Sequence, residues 1–342
     1  AWQRFLRVEW PVLRPWLAGG LCLVFLYCFS GFGLALLLGG DRYATVEVEI
    51  YRLIAYELDM AQASVLVWLV LGITAAAGLL YARLSRRTDA DKAHAAPRPR
   101  KPATAAERLM VAAVLSVLCV CCLMPLLAVV RQAALAGESW RVLLEGETLA
   151  ALWNTVRFSA AAVAAAAVLG VSYACLARRA AWVRGAVFLP FMVSPVCVAF
   201  GVLLLYPQWT ASLPLLIAAY ALLAYPFVAK DVLAAWDGLP KDYAAAARTM
   251  GANGFQTACY VTAPLLKPAL RRGLTLASAT CIGEFAATLF LARPEWQTLT
   301  TLIYAYLGRA GADNYSRAMV LTAVLMLFAT MVFLLLDGKD ED

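Results

Sequence analysis

Few residues in this chain have the type and spacing that chemistry requires. The one histidine, His94, lies in a Pro-, Ala- and Arg-rich stretch without an apolar period, where a solvated side chain is the ordinary outcome. Cys119-Val120-Cys121-Cys122 is crowded enough to suggest a metal or redox cluster. No His or carboxylate accompanies it, and its apolar surroundings describe small side chains of a buried or lipid-facing helix better. The Gly-Lys pair Gly338-Lys339 stands at the tail without the upstream glycine spacing of a phosphate-binding loop. Glu284 is a different case. It falls about fifteen residues into the apolar run 269–292, about 22 Å along a helix axis. A carboxylate that deep costs about 2.5–3.5 kcal/mol, so it must face a cavity or a partner. A lone intramembrane carboxylate and a linker histidine do not make a catalytic site. No metal centre and no cofactor is implied.

The elements that must position Glu284 are membrane spans. Of the 342 residues 63% are hydrophobic and 15% charged, which excludes an ordinary soluble chain. Apolar runs of about 20 residues recur, each long enough to cross about 30 Å of hydrocarbon. The expected spans are 16–38, 62–84, 109–130, 155–177, 186–206, 212–229, 269–292 and 317–336, eight in all, in an all-α polytopic membrane protein. Alternation puts residues 1–15, the flexible linker 85–108, residues 178–185, the 238–270 segment and the C-terminus on one side. That side holds 21 of the 29 Lys and Arg residues, the ends of its spans included. The opposite loops 41–61, 131–154 and 293–316 hold six, with ten acids. The basic side is therefore cytoplasmic. The net charge of +7 follows from topology, and nucleic-acid binding loses its main support. Trp153-Asn154, Tyr206, Trp209 and Trp296 fit an interfacial aromatic belt at the outer ends of spans.

Between two spans lies GLPKDYAAAARTMGANGFQTACYVTAPLLKPAL, residues 238–270. It reads as a helical hairpin turning at Gly251, a residue that tolerates positive φ, with Pro240 just ahead of the first helix. Small residues Ala245, Ala246 and Ala247 let another surface approach the backbone closely. The spacing from these alanines through Gly251 to Val261 and Pro264 resembles the EAA signature of ABC-importer permeases. Ala245 stands where that family usually has Glu, and Ala263 where it usually has Leu. The resemblance implies that the hairpin 238–268 docks into a cleft on a separate ATP-binding subunit, acting as a dimer, and passes its movement to the spans.

Residues 7–51 align with 260–304 at a constant offset. Val8 and Pro11 fall over Val261 and Pro264, Gly20 over Gly273, Phe32 over Phe285, and Ile50-Tyr51 over Ile303-Tyr304. Such self-similarity over a membrane half is characteristic of parallel-repeat transporters. It divides the chain into the end of a first half (1–84, two spans), the linker, and a second half (109–342, six spans). Val8 and Pro11 would be the remnant of a first hairpin. About four further spans are expected ahead of Ala1 in an intact protein.

Two EAA-bearing halves on one polypeptide resemble the fused permeases of bacterial thiamine and ferric-iron ABC importers, with the type I importer fold. Thr45-Val-Glu-Val-Glu-Ile-Tyr51 is closest to the thiamine group, whereas Gly283-Glu284-Phe285 occurs more widely. The resemblance implies a multi-pass inner-membrane subunit with a cytoplasmic C-terminus and no catalysis of its own. It also implies an external substrate-binding protein, which Glu47, Glu49, Glu57 and Asp59 could meet. Glu284 is then either a lining residue of the translocation path, attractive to a cation, or a helix–helix contact. An ion-gradient-driven secondary transporter would predict paired intramembrane ionisable residues. It would also leave the hairpin unexplained.

Overall fold

The computed structural model describes residues 3, 5–40, 42–89, 104–180, 183–184, 193–209 and 212–337. Helix is the dominant element, as it must be where lipid offers no hydrogen bonds to backbone groups. Fourteen α-helices frame the described residues: α1 Trp10–Phe29, α2 Phe32–Gly39, α3 Val46–Arg52, α4 Met60–Asp89, α5 Ala105–Ala134, α6 Gly146–Ala177, α7 Pro195–Leu205, α8 Leu213–Gly238, α9 Lys241–Thr249, α10 Gly254–Thr257, α11 Ala263–Ile282, α12 Ala286–Leu291, α13 Leu299–Gly308 and α14 Ala312–Asp337.

The repeat is visible in element boundaries. The widened turn Phe5–Glu9 and helix α1 recur as Ala258–Thr262 and α11, each displaced by the same 253 positions. The break after α1 at Ser30-Gly31 recurs after α11 at Gly283-Glu284. Helices α3 and α13 begin at the same offset.

Among the described residues five helices are long and apolar enough to cross a membrane, six if the bent pair Gly20–Phe29 and Phe32–Gly39 counts as one. That pair bends by 55°, because the chain leaves the helix at Ser30-Gly31. The run 269–292 divides in the same way, into α11 and α12. Within 186–206 the helix described is α7, which starts at the N-cap Ser194 and Pro195, and residues 185–192 lie outside the described residues. The linker is narrower than expected. Helix α4 runs on to Asp89, and Thr104 with Glu107 forms a reciprocal cap that starts α5, with N···O distances of 3.2 and 3.3 Å. His94 lies outside the described residues.

The second half is held by α6, α8 and α11, packed through small residues. A Cβ at Gly170 of α6 would lie 2.7 Å from Val228 Cβ, and one at Gly273 of α11 would lie 2.8 Å from Val228 Cα. Both glycines therefore let their helices close onto the same turn of α8, the close backbone approach by which membrane helices gain contact without a hydrophobic driving force. Ala162, Ala166, Ala174, Ala219, Ala224 and Ala277 extend this seam. The start of α6 meets the segment joining α13 and α14: Glu145 pairs with Arg317 at 2.9 Å, and Glu147 with Arg309 at 3.7 Å.

Candidate functional sites: the hairpin at Gly251 and the contact between repeats

Helix α9 ends by a mechanism that explains its glycine. Gly251 has φ +88°; its N–H donates to Arg248 O, and the Ala252 N–H donates to Ala247 O, both at 3.0 Å. This crossed pair satisfies two carbonyls left over at the helix end and needs a left-handed residue at position 251. The chain then restarts at Asn253, whose side chain accepts from Gln256 N at 2.8 Å while Gln256 accepts from Asn253 N at 2.9 Å. Ala245, Ala246, Gly251 and Pro264 are exposed, and Ala247 and Val261 are half-buried. Pro11 is exposed in the first turn of α1; Val8 lies in the preceding turn, its side chain outside the described residues.

Sequence reasoning passed over the side chains that give this hairpin its surface. Met250, Phe255 and Tyr260 are 88%, 77% and 78% exposed around the turn. Behind them a cavity of about 430 Å³ is lined by Arg178, Arg179, Trp236, Tyr243, Arg248 and Val261, among others. Arg178 stacks on Trp236, its guanidinium carbon 4.6 Å from the ring centre, and Arg184 pairs with Asp237. Arg178, Arg179 and Arg248 thus gather beside the hairpin.

The second candidate is the contact between repeats. Glu284 is not in a continuous helix. It occupies the break before α12, 8% exposed, and its Oε1 accepts from Ala287 N at 3.0 Å. Its backbone carbonyl accepts from Thr300 Oγ1 at 3.0 Å and from Tyr220 OH at 3.4 Å. Of the two sequence readings, this arrangement accounts for the carboxylate by local capping and for the carbonyl by helix–helix contact.

Glu47 was expected among loop acids available to a binding protein. The structure buries it to 1% exposure, so it cannot meet an external partner from this position. Neither carboxylate oxygen has a hydrogen bond of normal geometry, although the Ser194 hydroxyl and the Phe32 N–H face the group. Burial raises its pKa to about 7, against the opposing pull of those two donors. Asp59 is also accounted for: it caps α4, accepting from Ala61 N, Gln62 N and Gln62 Nε2 at 3.1, 3.0 and 2.9 Å. Glu57 is exposed and Glu49 half-exposed.

Aromatic rings from both repeats pack together where the two breaks meet. Phe32 stacks on Phe285, with centroids 6.0 Å apart and 22° between planes. Tyr51 packs edge-on to Phe32 at 5.7 Å, and Tyr304 packs on Phe285 at 5.3 Å. In α6, Asn154 is buried and donates to the Glu295 and Gln297 carbonyls at 3.0 and 2.8 Å. Next to it, Thr155 Oγ1 accepts from Leu299 N at 2.9 Å. Asn154 is thus a loop clamp, while its neighbour Trp153 remains exposed, as a belt residue would be.

Residues 110–338 match the family model described as binding-protein-dependent transport system inner membrane component. The chain is 27% identical to the thiamine transport system permease protein ThiP of Escherichia coli (strain K12), over 97% of this chain and 65% of that protein. It is 26% identical to ThiP of Haemophilus influenzae, over 97% and 64%. The chain thus spans somewhat less than two thirds of the length of these relatives. It is also 28% identical to the sulfate transport system permease protein CysT of Escherichia coli (strain K12), over 61% of this chain and 83% of that one. A solved bacterial ABC transporter involved in the import of the acidic polysaccharide alginate shares the fold. It has a TM-score of 0.54 at 14% identity and covers 67% of this chain and 93% of that one. With two thirds of its length matched by the family model and a shared transporter fold, this multi-pass membrane chain belongs to the binding-protein-dependent transport system inner membrane components.

Proposed function

We propose that the chain is part of the transmembrane subunit of an ATP-driven importer whose cargo is thiamine. The observation that carries this reading is the likeness to thiamine permeases along 97% of the chain, which takes in both repeats and the helix break within each. The partners are an ATP-binding subunit, present as a dimer, on the hairpin side and a substrate-binding protein on the outer side. The hairpin side is cytoplasmic and the C-terminus lies with it, in the inner membrane of a bacterium. The subunit performs no chemistry itself.

In this reading ATP binding moves the partner against the exposed face of Ala245, Ala246, Met250 and Phe255. The crossed hydrogen bonds at Gly251 make α9 and the turn a stiff unit. Val261 and Pro264 lead directly into α11, which packs on α8 at Val228, so the push reaches the break at Gly283-Glu284. Access then alternates where the two repeats meet.

The experiment is ATP-dependent uptake of labelled thiamine into vesicles holding the full-length protein with its ATPase and binding protein, beside ferric iron and sulfate. Uptake of thiamine alone is the expected result. Uptake of iron or sulfate alone moves the cargo and keeps the coupling. ATP-independent uptake overturns the importer reading.

A further inference from the structure

The two repeats meet on matched residues. Phe32 and Phe285 occupy the same repeat position and stack on each other; Tyr51 and Tyr304, also mates, flank them at 5.7 and 5.3 Å. Phe290 closes the group, 5.4 Å from Tyr51 and 6.1 Å from Phe32. One turn before Tyr51 on the same face of α3 sits Glu47, buried with neither oxygen in a hydrogen bond of normal geometry, against Ser194 and Cys197 of the second half. A buried polar group left without a well-formed hydrogen bond costs up to about 1–3 kcal/mol, more when charged, so its presence in the closed contact calls for a use in another state. On the outer side a cavity of about 400 Å³ is lined by Leu36, Val48, Tyr51, Arg52, Tyr56 and Glu57, among others. Tyr51 thus lines this cavity and also stands beside the stacked pair.

We propose that Phe32, Phe285, Tyr51 and Tyr304 form the constriction at which the chain holds cargo in transit, that Glu47 meets the cargo's positive charge there, and that the cargo class is a flat aromatic cation. This rests on the importer reading above. Parting the repeats separates one stacked pair, worth about 0.5–1.5 kcal/mol beyond its area, and a flat ring entering between the faces replaces that contact on both sides. A cation over an aromatic face gains about 0.5–2 kcal/mol, more where water is excluded. A neutral or anionic cargo would leave Glu47 uncompensated, so the same residues select against it.

The test uses the full-length protein with its ATPase and binding protein in proteoliposomes, and thiamine, whose thiazolium ring is such a cation, as probe. The readout is thiamine taken up per ATP hydrolysed, together with ATP hydrolysis stimulated by the loaded binding protein. In Glu47→Gln, and separately in Phe32→Leu with Phe285→Leu, uptake per ATP falls about tenfold, the equivalent of about 1.4 kcal/mol, while stimulated hydrolysis stays at the wild-type level. Glu47→Asp recovers part of the loss. If Glu47→Gln does not accumulate, the leucine pair, which keeps bulk and removes the π faces, carries the test. Unchanged uptake per ATP in the variants, with a wild type that transports, overturns this inference alone. A wild type showing no ATP-dependent uptake of thiamine overturns the importer reading beneath it.

Discussion

Glu47 and Glu284 stand at different repeat positions, yet each brings a carboxylate to the same kind of place, the restart of a broken helix. Glu284 lies within its own break and accepts from Ala287 N at 3.0 Å. The matching residue in the first half is Gly31, which has no side chain, and there Glu47 faces the Phe32 N–H from the following helix. The second-half mate of Glu47 is Thr300, which donates to the Glu284 carbonyl at 3.0 Å. Both α3 and α13 therefore lean on the break that precedes them, with the acid exchanged between break and leaning helix.

That exchange makes the Glu284 side chain a cap first. Glutamine keeps an acceptor oxygen where the Ala287 N–H needs one, and alanine does not. Glu284→Gln should leave thermal stability in detergent within about 0.5 kcal/mol of wild type, and Glu284→Ala should lower it by about 1 kcal/mol. Thiamine uptake by Glu284→Gln should stay within about twofold of wild type. A tenfold loss with unchanged protein level would place its charge in the path.

Gly251 is the residue on which the hairpin turns. With φ at +88°, alanine there carries a left-handed strain of about 1–2 kcal/mol, and proline cannot adopt the angle. Proline also removes the N–H that donates to Arg248 O. Gly251→Pro should insert at the wild-type level, read by membrane immunoblot, and lose ATP-dependent uptake; Gly251→Ala should be milder. Wild-type uptake by the proline variant would remove the hairpin from coupling.

The tight seam at Val228 gives a stability prediction free of transport. A Cβ on Gly273 meets backbone, Val228 Cα at 2.8 Å, which no rotamer change can relieve. Gly273→Ala should destabilise the protein by about 1–3 kcal/mol, seen as earlier thermal unfolding in detergent. Gly20, its mate in α1, has nothing within 4 Å of its Cβ direction, so Gly20→Ala should leave the described fold unchanged.

What could be read in the sequence was whatever Gly, Pro and charge punctuate. The hairpin turn at Gly251 and the recurrence of elements at a fixed offset rest on such marks, and the structure has the positive-φ turn and the matched element boundaries. The breaks at Ser30-Gly31 and Gly283-Glu284 were not legible, because hydropathy averages over a two-residue interruption inside an apolar run. Pairing the repeats by position predicts that Phe32 and Phe285 are alike, but not that they touch, since a repeat alignment carries no axis. Asn154 was read with Trp153 as part of a belt. Its role depends on carbonyls more than a hundred residues away, and no local pattern announces that. Glu47, alternating with Glu49 in a loop of mixed charge, looked solvent-exposed for the same reason.

The Glu47 carboxyl also sets a pH dependence with a defined sign. Its pKa is raised from 4.5 to about 7, burial being the main cause, with the Ser194 hydroxyl and Phe32 N–H opposing and the Cys197 thiol beside it. A raised acid binds its proton more tightly in the folded contact than when exposed. The contribution to the closed contact is therefore fully present below about pH 4.5 and is lost as pH rises through about 7. At full ionisation the loss is on the order of 3 kcal/mol, from the free energy carried by such a change in pKa. Wild-type thermal stability should fall between about pH 5 and pH 8, and Glu47→Gln should flatten that part of the profile. Parallel profiles for wild type and variant would show that Glu47 ionises in the closed contact as it does in water.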